Sequence, residues 1–495
     1  MFEAAEIGHK LSKSKFEKSE QGLRTSLIEM QHKIRLAGVP VIVVVAGDDR
    51  PGCDDLINRL NAWLDPRFLV TNAYAPPNEF DGLRPRFWRY WRELPPRGQI
   101  GIFAGAWSIR AMADRLKEKL SEADFLRQIG HTRRFEQALA ADGAVVIKFW
   151  LHVPEKVLLE RLEEAEKHPD REWRVQPEDW AMYEKFEQAQ GIVETFIRQT
   201  STATAPWHIV ESSDWKYRDV KVSELLLEAV NRQLQLVEQD SANEEPDESS
   251  DEMAIHEDNL TILDRVDLSL ELSRDDYEQK LEQQQARLSA LAREAHQQGL
   301  STVLAFEGWD AAGKGGTIRR LVASMNAHLY RVVSISKPSQ DELAHHYLWR
   351  FWRSIPRPGH FQVFDRSWYG RVLVERVEGF ASEPEWRRAY AEINNFEEQL
   401  HEHGIVLAKF WLHISKDEQL KRFEARKNTP YKRFKITDED YRNREKWDQY
   451  EEAASEMVAR TSTSYAPWHL VAANDKRWAR VYVIKTVCDA LEATL

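Results

Sequence analysis

The chain has 495 residues, 42% hydrophobic and 30% charged, with a formal net charge of -12. This length can supply two or more cores, and the negative balance argues against non-specific nucleic-acid binding, although a local basic patch could still hold a polyanion. Cys53 and Cys488 are the only cysteines, and the sequence shows neither a secretory leader nor an apolar run long enough for a membrane, so a reducing, cytoplasmic setting is expected.

In chain order, residues 16–37 predict a helix and Val39–Ala46 a buried strand. A turn at Gly47–Cys53 follows, then a helix beginning near Asp54. Glu238–Asp258 is acidic and nearly free of large apolar groups. Such a segment cannot bury enough surface to offset its ordering entropy, so it reads as a solvated linker, with an acidic interaction tail as the other reading. Beyond it, strands are predicted at 302–306, 331–335, 361–364, 405–412 and 468–472, with helices between them. Alternation with strongly apolar strands predicts an α/β fold with a parallel sheet covered on both faces. A ligand site then belongs at the carboxyl ends of the strands.

The stretch Thr302–Leu321 concentrates the chemistry. Gly308 and Gly313-Lys314 have the spacing of a Walker A loop, lying between a strand and a helix that Thr317 is expected to open. Backbone N–H groups and the helix dipole would converge there on phosphate, with Lys314 reaching a terminal phosphate. Arg319 and Arg320 are expected to make the first helical turn basic. The residue after the lysine is Gly315, where a Ser or Thr hydroxyl for Mg²⁺ usually stands. Thr317 is close by, and Asp310 inside the loop offers a hard oxygen ligand instead. The competing reading is a tight strand-to-helix corner with an ordinary surface lysine.

A constant shift of 261 residues superimposes the first half on the second. It maps Gly47 onto Gly308, Trp88–Arg92 onto Trp349–Arg353, Lys148–His152 onto Lys409–His413, and Ala205–His208 onto Ala466–His469. A register kept over so many blocks means two copies of one domain. The expected division is 1–237, a linker at 238–258, and 259–495.

The two copies differ in charge. Asp365, after an apolar strand, stands where a Walker B carboxylate would be; the other reading is a helix N-cap. Arg366 beside it offers a bidentate fork for phosphate. The basic segment Arg426–Lys435 could close over a phosphate chain or be a solvated face. In the first copy, Lys314 becomes Cys53, Asp365 becomes Ala104, and Arg366 becomes Gly105. Likewise Arg426 becomes Ala165, Lys427 becomes Glu166, and Arg433 becomes Glu172. Only Asp310 keeps a counterpart, Asp49. The scaffold aromatics persist while the phosphate-binding charges vanish. An active second copy and a silent first copy that serves as its packing partner are therefore expected. His413 and His469, with counterparts in both copies, read as packing residues.

Gly308–Gly316, Phe364–Arg371 and the lid-like 426–435 together resemble polyphosphate kinase 2, over most of residues 270–475. The two-domain layout is similar to the fused polyphosphate:AMP phosphotransferases of that family. The resemblance implies two tandem P-loop kinase-like, thymidylate-kinase-like domains with a helical lid. It implies Mg²⁺-dependent transfer of a terminal phosphoryl group from polyphosphate to AMP. Catalytic roles fall to Asp310, Lys314, Asp365 and Arg366, with Asp310 and Asp365 on the metal. Phosphate binding falls to Gly308, Gly313, Lys314, Gly315, Gly316, Thr317, Arg426 and Lys427. The expected partners are polyphosphate and AMP, with neither nucleic acid nor membrane, in a homo-oligomer such as a dimer. Other readings are an ADP-directed polyphosphate kinase, an ATP-dependent nucleotide kinase, and a non-enzymatic polyphosphate-binding protein.

Overall fold

The predicted alternation is realised twice in a computed structural model of the chain, which describes residues 1–75, 79–167, 175, 177–243, 261–429 and 438–495. Two units emerge: Met1–Asn78 with Arg89–Asp251 and Gln340–His346, and Glu79–Trp88 with Glu252–Ser339 and Tyr347–Leu495. The helix Trp215–Asn243 includes the first residues of the expected linker, and 244–258 lie outside the described residues. Among the described residues no helix is long and apolar enough to cross a membrane.

The first unit holds β1 (Val41–Gly47), β2 (Leu69–Ala73), β3 (Ile100–Ala104), β4 (Val145–His152) and β5 (Trp207–Glu211). The second holds β6 (Thr302–Gly308), β7 (Tyr330–Ser334), β8 (Phe361–Asp365), β9 (Val406–His413) and β10 (Trp468–Ala472). Sheet orders are β2-β3-β1-β4-β5 and β7-β8-β6-β9-β10, and every pairing is parallel. Parallel neighbours need crossovers, which the helices supply. The strands predicted in the second copy all occur, within two residues of their expected ends.

The central strands explain why the pattern was readable. Every residue of β4 and β9 is buried, and so are the first six of β1 and β6. Strands covered on both faces read as continuous apolar runs.

Helix starts were less readable. The helix after the second loop is Lys314–Val322, so it begins three residues before Thr317, and Arg319 and Arg320 lie in its last turn. Cations there face the negative end of the dipole, which favours them. In the first unit the matching helix, Arg50–Trp63, begins before Asp54, with Asp49 as its cap.

Each fully buried central strand carries one lysine. Lys409 on β9 donates to Glu397 at 2.7 Å, to Tyr369 Oη at 2.8 Å and to the Thr461 carbonyl at 2.7 Å. Glu397 also accepts from Trp368 Nε1 at 3.0 Å and Tyr369 Oη at 2.6 Å. Lys148 repeats the arrangement with Glu136 at 2.5 Å and the Thr200 carbonyl at 2.9 Å, and Trp107 bonds the carboxylate. Lys409 and Glu397 are fully buried, and breaking such a pair leaves a charge without solvent or partner. Lys409→Met should therefore destabilise the second unit by about 3–5 kcal/mol. Chemical denaturation measures this, and an unchanged midpoint would show that the pair contributes nothing.

Candidate functional site

The strand register builds the site. Phe306 on β6 pairs with Asp365 on β8, while Gly308 pairs with Leu412 on β9. Asp365 is thereby set beside the start of the loop that leaves β6. Gly308 has φ +137°, and a Cβ there would overlap the backbone of Leu412. Gly47 meets the backbone of Leu151 in the same way, so this glycine is steric in both units. Gly313 caps the helix in the left-handed region at φ +114°. The N–H groups of Gly316 and Thr317 close onto its carbonyl, each at 3.0 Å, and Thr317 is buried in this turn.

Lys314 folds back over the loop, donating to the carbonyls of Gly308 at 2.6 Å and Trp309 at 3.2 Å. Burial pushes its ammonium pKa down, helped by Arg366 and opposed by Asp310, Asp365 and Glu307. Asp310 accepts from Arg366 Nη2 at 2.9 Å and from Asn443 Nδ2 at 2.9 Å. Burial works to raise its carboxyl pKa, but Arg366, Lys314 and Asn443 outweigh it and hold the group below the usual range.

Gly315 lies beside Asp365. A Cβ on it would lie 3.4 Å from Asp365 Oδ2. That is an ordinary contact distance, so the loop brings Gly315 directly against the Asp365 carboxylate. The turn after β8 is capped by Ser367, which accepts from Tyr369 N, so the N-cap role belongs to Ser367 and Asp365 remains beside the loop.

Arg366 is held at φ +66°. Gly105, its counterpart, sits at φ +62°. The fold thus requires a left-handed residue at this corner in both units, and the first satisfies it with glycine. The second keeps an arginine there despite strain on the order of 1–3 kcal/mol, which points to a use for its side chain.

Arg426 lies in the last turn of the helix Lys416–Lys427 and is among the cations that lower the Asp310 pKa. Lys427 instead lies over the Tyr441 ring, 4.6 Å from its centroid. The rest of the expected lid segment, 430–435, and Glu172 in the first copy lie outside the described residues.

Several polar groups at the site carried no recognisable motif. Glu307, at the end of β6, is buried and accepts from Ser367 N at 2.7 Å and Ser367 Oγ at 2.8 Å; burial raises its pKa. Gln419 bonds the Asp310 carbonyl at 3.1 Å, and Arg422 bonds the carbonyls of Ala311 and Ala312. The 261-residue shift holds the signal for three of them: Ala46 matches Glu307, Leu158 matches Gln419, and Met182 matches Asn443. His413 fits the packing role, accepting from the indoles of Trp309 and Trp411 at 3.1 and 3.3 Å, with burial lowering its pKa to about 4.

The first unit's loop is neutralised from within. Asp49 takes Arg161 and the Ser212 hydroxyl (2.7 Å), while Arg50 clamps Asp179 at 2.7 Å. Cys53, in place of the lysine, is a buried thiol whose pKa is pushed well up by burial.

A family model described as polyphosphate kinase 2 matches residues 10–237 and 271–495. A polyphosphate:AMP phosphotransferase of Pseudomonas aeruginosa is 45% identical over 494 residues, spanning 100% of this chain and 99% of that protein. A protein of the same name from Acinetobacter johnsonii is 36% identical, over 96% of this chain and 97% of its own. A crystal structure of a polyphosphate kinase 2 from Pseudomonas aeruginosa matches 100% of this chain and 99% of that one, with TM-score 0.90 and 43% identity.

Arg366→Gly tests the strained corner. Stability should stay level or rise by about 1 kcal/mol, because the exchanged ion pair is half exposed and worth little. Turnover should fall at least about 100-fold. Lower stability with unchanged turnover would make Arg366 architectural.

Proposed function

Because the chain belongs to the polyphosphate kinase 2 family, we propose that its second unit transfers the terminal phosphoryl group of polyphosphate to AMP, giving ADP. The observation that carries this reading is the convergence of Lys314, Asp310, Asp365 and Arg366 on one loop, where the first unit has Cys53, Asp49, Ala104 and Gly105. Full-length relatives named polyphosphate:AMP phosphotransferase support the substrates. In the step, the terminal P–O–P bond of the donor breaks and an AMP phosphate oxygen bonds to the transferred phosphorus. The polymer leaves one unit shorter.

The residues fit Mg²⁺. Among the described residues no group of three or more His, Cys, Asp or Glu could hold a metal by itself. Mg²⁺ commonly takes one or two carboxylates and completes its shell with phosphate and water. Asp310 and Asp365 would be those two carboxylates, the second lying against Gly315 of the loop. If bound there, the ion would supply charge neutralisation for the phosphates.

The chain's own groups position the phosphates. Lys314 exchanges its loop carbonyls for a terminal phosphate oxygen. Arg366 turns its planar fork from Asp310 to the transferred group. The backbone of Gly308, Gly313, Gly315, Gly316 and Thr317 cradles the donor at the helix start, and Arg426 and Lys427 hold the chain beyond it. The first unit, with its loop charges paired internally, is proposed as a catalytically silent packing partner. The division into a silent 1–237 and a catalytic 259–495 and assembly as a homo-oligomer belong to this proposal.

Purified protein with polyphosphate and Mg²⁺ should convert AMP to ADP, followed by nucleotide chromatography against each mono- and diphosphate in turn. Inert AMP with rapid conversion of ADP would reassign the acceptor. Asp365→Asn should lower kcat about 100-fold or more, and near-normal turnover would remove Asp365 from the mechanism.

A further inference from the structure

Asp310 is held by three separate elements. Arg366 follows β8, Gln419 lies on the helix Lys416–Lys427, and Asn443 lies on the helix Asp438–Glu445. Only the first of these donors is charged. If Arg366 turns to phosphate, as the functional reading above requires, Asp310 loses its ionic partner at that moment. The Asn443 amide remains, 2.9 Å from Oδ2.

Asn443 is itself supported. Its Oδ1 faces Tyr450 Oη at 3.5 Å, and the same hydroxyl lies 3.4 Å from Glu378 Oε1. Lys446 and Arg442, on either side of Asn443 in sequence, pair with Glu378 at 3.2 and 3.4 Å. Lys446 also bonds the Val377 carbonyl at 3.3 Å. Glu378 is nearly buried, with 7% of its side chain exposed, so this anchor is screened from solvent. Asn443 and Tyr450 both line the cavity of about 60 Å³ beside Lys314 and Arg366.

The other copy shows what the fold does without this support. Under the 261-residue shift, Asn443 is replaced by Met182, Tyr450 by Ala189, Glu378 by Lys117 and Arg442 by Ala181. Asp49 there is taken by Arg161 and Ser212 instead. These contacts are thus absent where the phosphate-binding charges are absent, although the sheet is the same.

We infer that Asn443 is a positioning residue: it keeps the Asp310 carboxylate oriented once Arg366 has left it, with Tyr450 beside its amide oxygen and the Arg442 and Lys446 pairs to Glu378 anchoring its helix. This rests on the phosphotransfer reading. A neutral amide suits the task because it orients the carboxylate without adding a charge that competes for phosphate.

The test is a double-mutant cycle in the full-length chain, assayed with polyphosphate, Mg²⁺ and AMP. Asn443→Met installs the residue that this fold already accommodates at the matching position, and Asn443→Ala is the second variant. Either should lower kcat about tenfold to a hundredfold, as small misplacements of a catalytic group do. KM for AMP and polyphosphate should stay within about twofold, and the thermal midpoint should be unchanged, as befits a group acting on the transition state alone. In an Asp310→Asn background, the further loss from Asn443→Met should shrink to less than about twofold, because coupled residues are not additive. Additive losses, a wild-type kcat, an effect confined to KM, or loss of folding in both variants would each overturn the inference. A wild-type chain that fails to phosphorylate AMP would sink the functional reading itself, a result distinct from all of these.

Discussion

The backbone of Gly308 lies so close to Leu412 that no side chain can stand between them, and the rest of the site depends on that approach. It fixes the direction in which the chain leaves β6, and hence where Lys314 begins its helix. Pairing of β6 with β8 then brings Asp365 to the same sheet edge. The geometry of the loop therefore follows from sheet register before any charged residue is considered. The equivalent approach of Gly47 to Leu151 shows the same constraint operating without the loop lysine and second carboxylate.

What separates the units is charge placed on a common frame. Both keep a buried lysine–glutamate pair under the central sheet, both keep a left-handed corner after the third-position strand, and both keep an aspartate in the loop. In the first unit that aspartate is paired internally. In the second it faces a lysine, an arginine and an amide from three different elements.

Much of this was legible in the sequence. The central strands were readable because burial on both faces demands unbroken apolar runs. The loop was readable because lysine follows glycine at a fixed spacing. The start of its helix at Lys314 was missed because Gly315 and Gly316 are poor helix formers, and the loop's tertiary setting overrides their propensity. The strain at Arg366 is a backbone property with no motif, though Gly105 at the matching position was its trace. Glu307, Asn443 and Tyr450 are single polar residues whose meaning arises only when separate elements meet. Comparison of the copies could have flagged all three, since Ala46, Met182 and Ala189 replace them.

The central claim is that the second unit alone carries the chemistry. Lys314→Ala in the full-length chain tests it most directly, by ADP formation from AMP and polyphosphate at saturating substrate. The account predicts that turnover drops to about 1% of wild type or below, with the fold intact by circular dichroism. Retention of about half the activity would mean that the first unit also transfers phosphate, and would contradict the division of roles drawn from the charges.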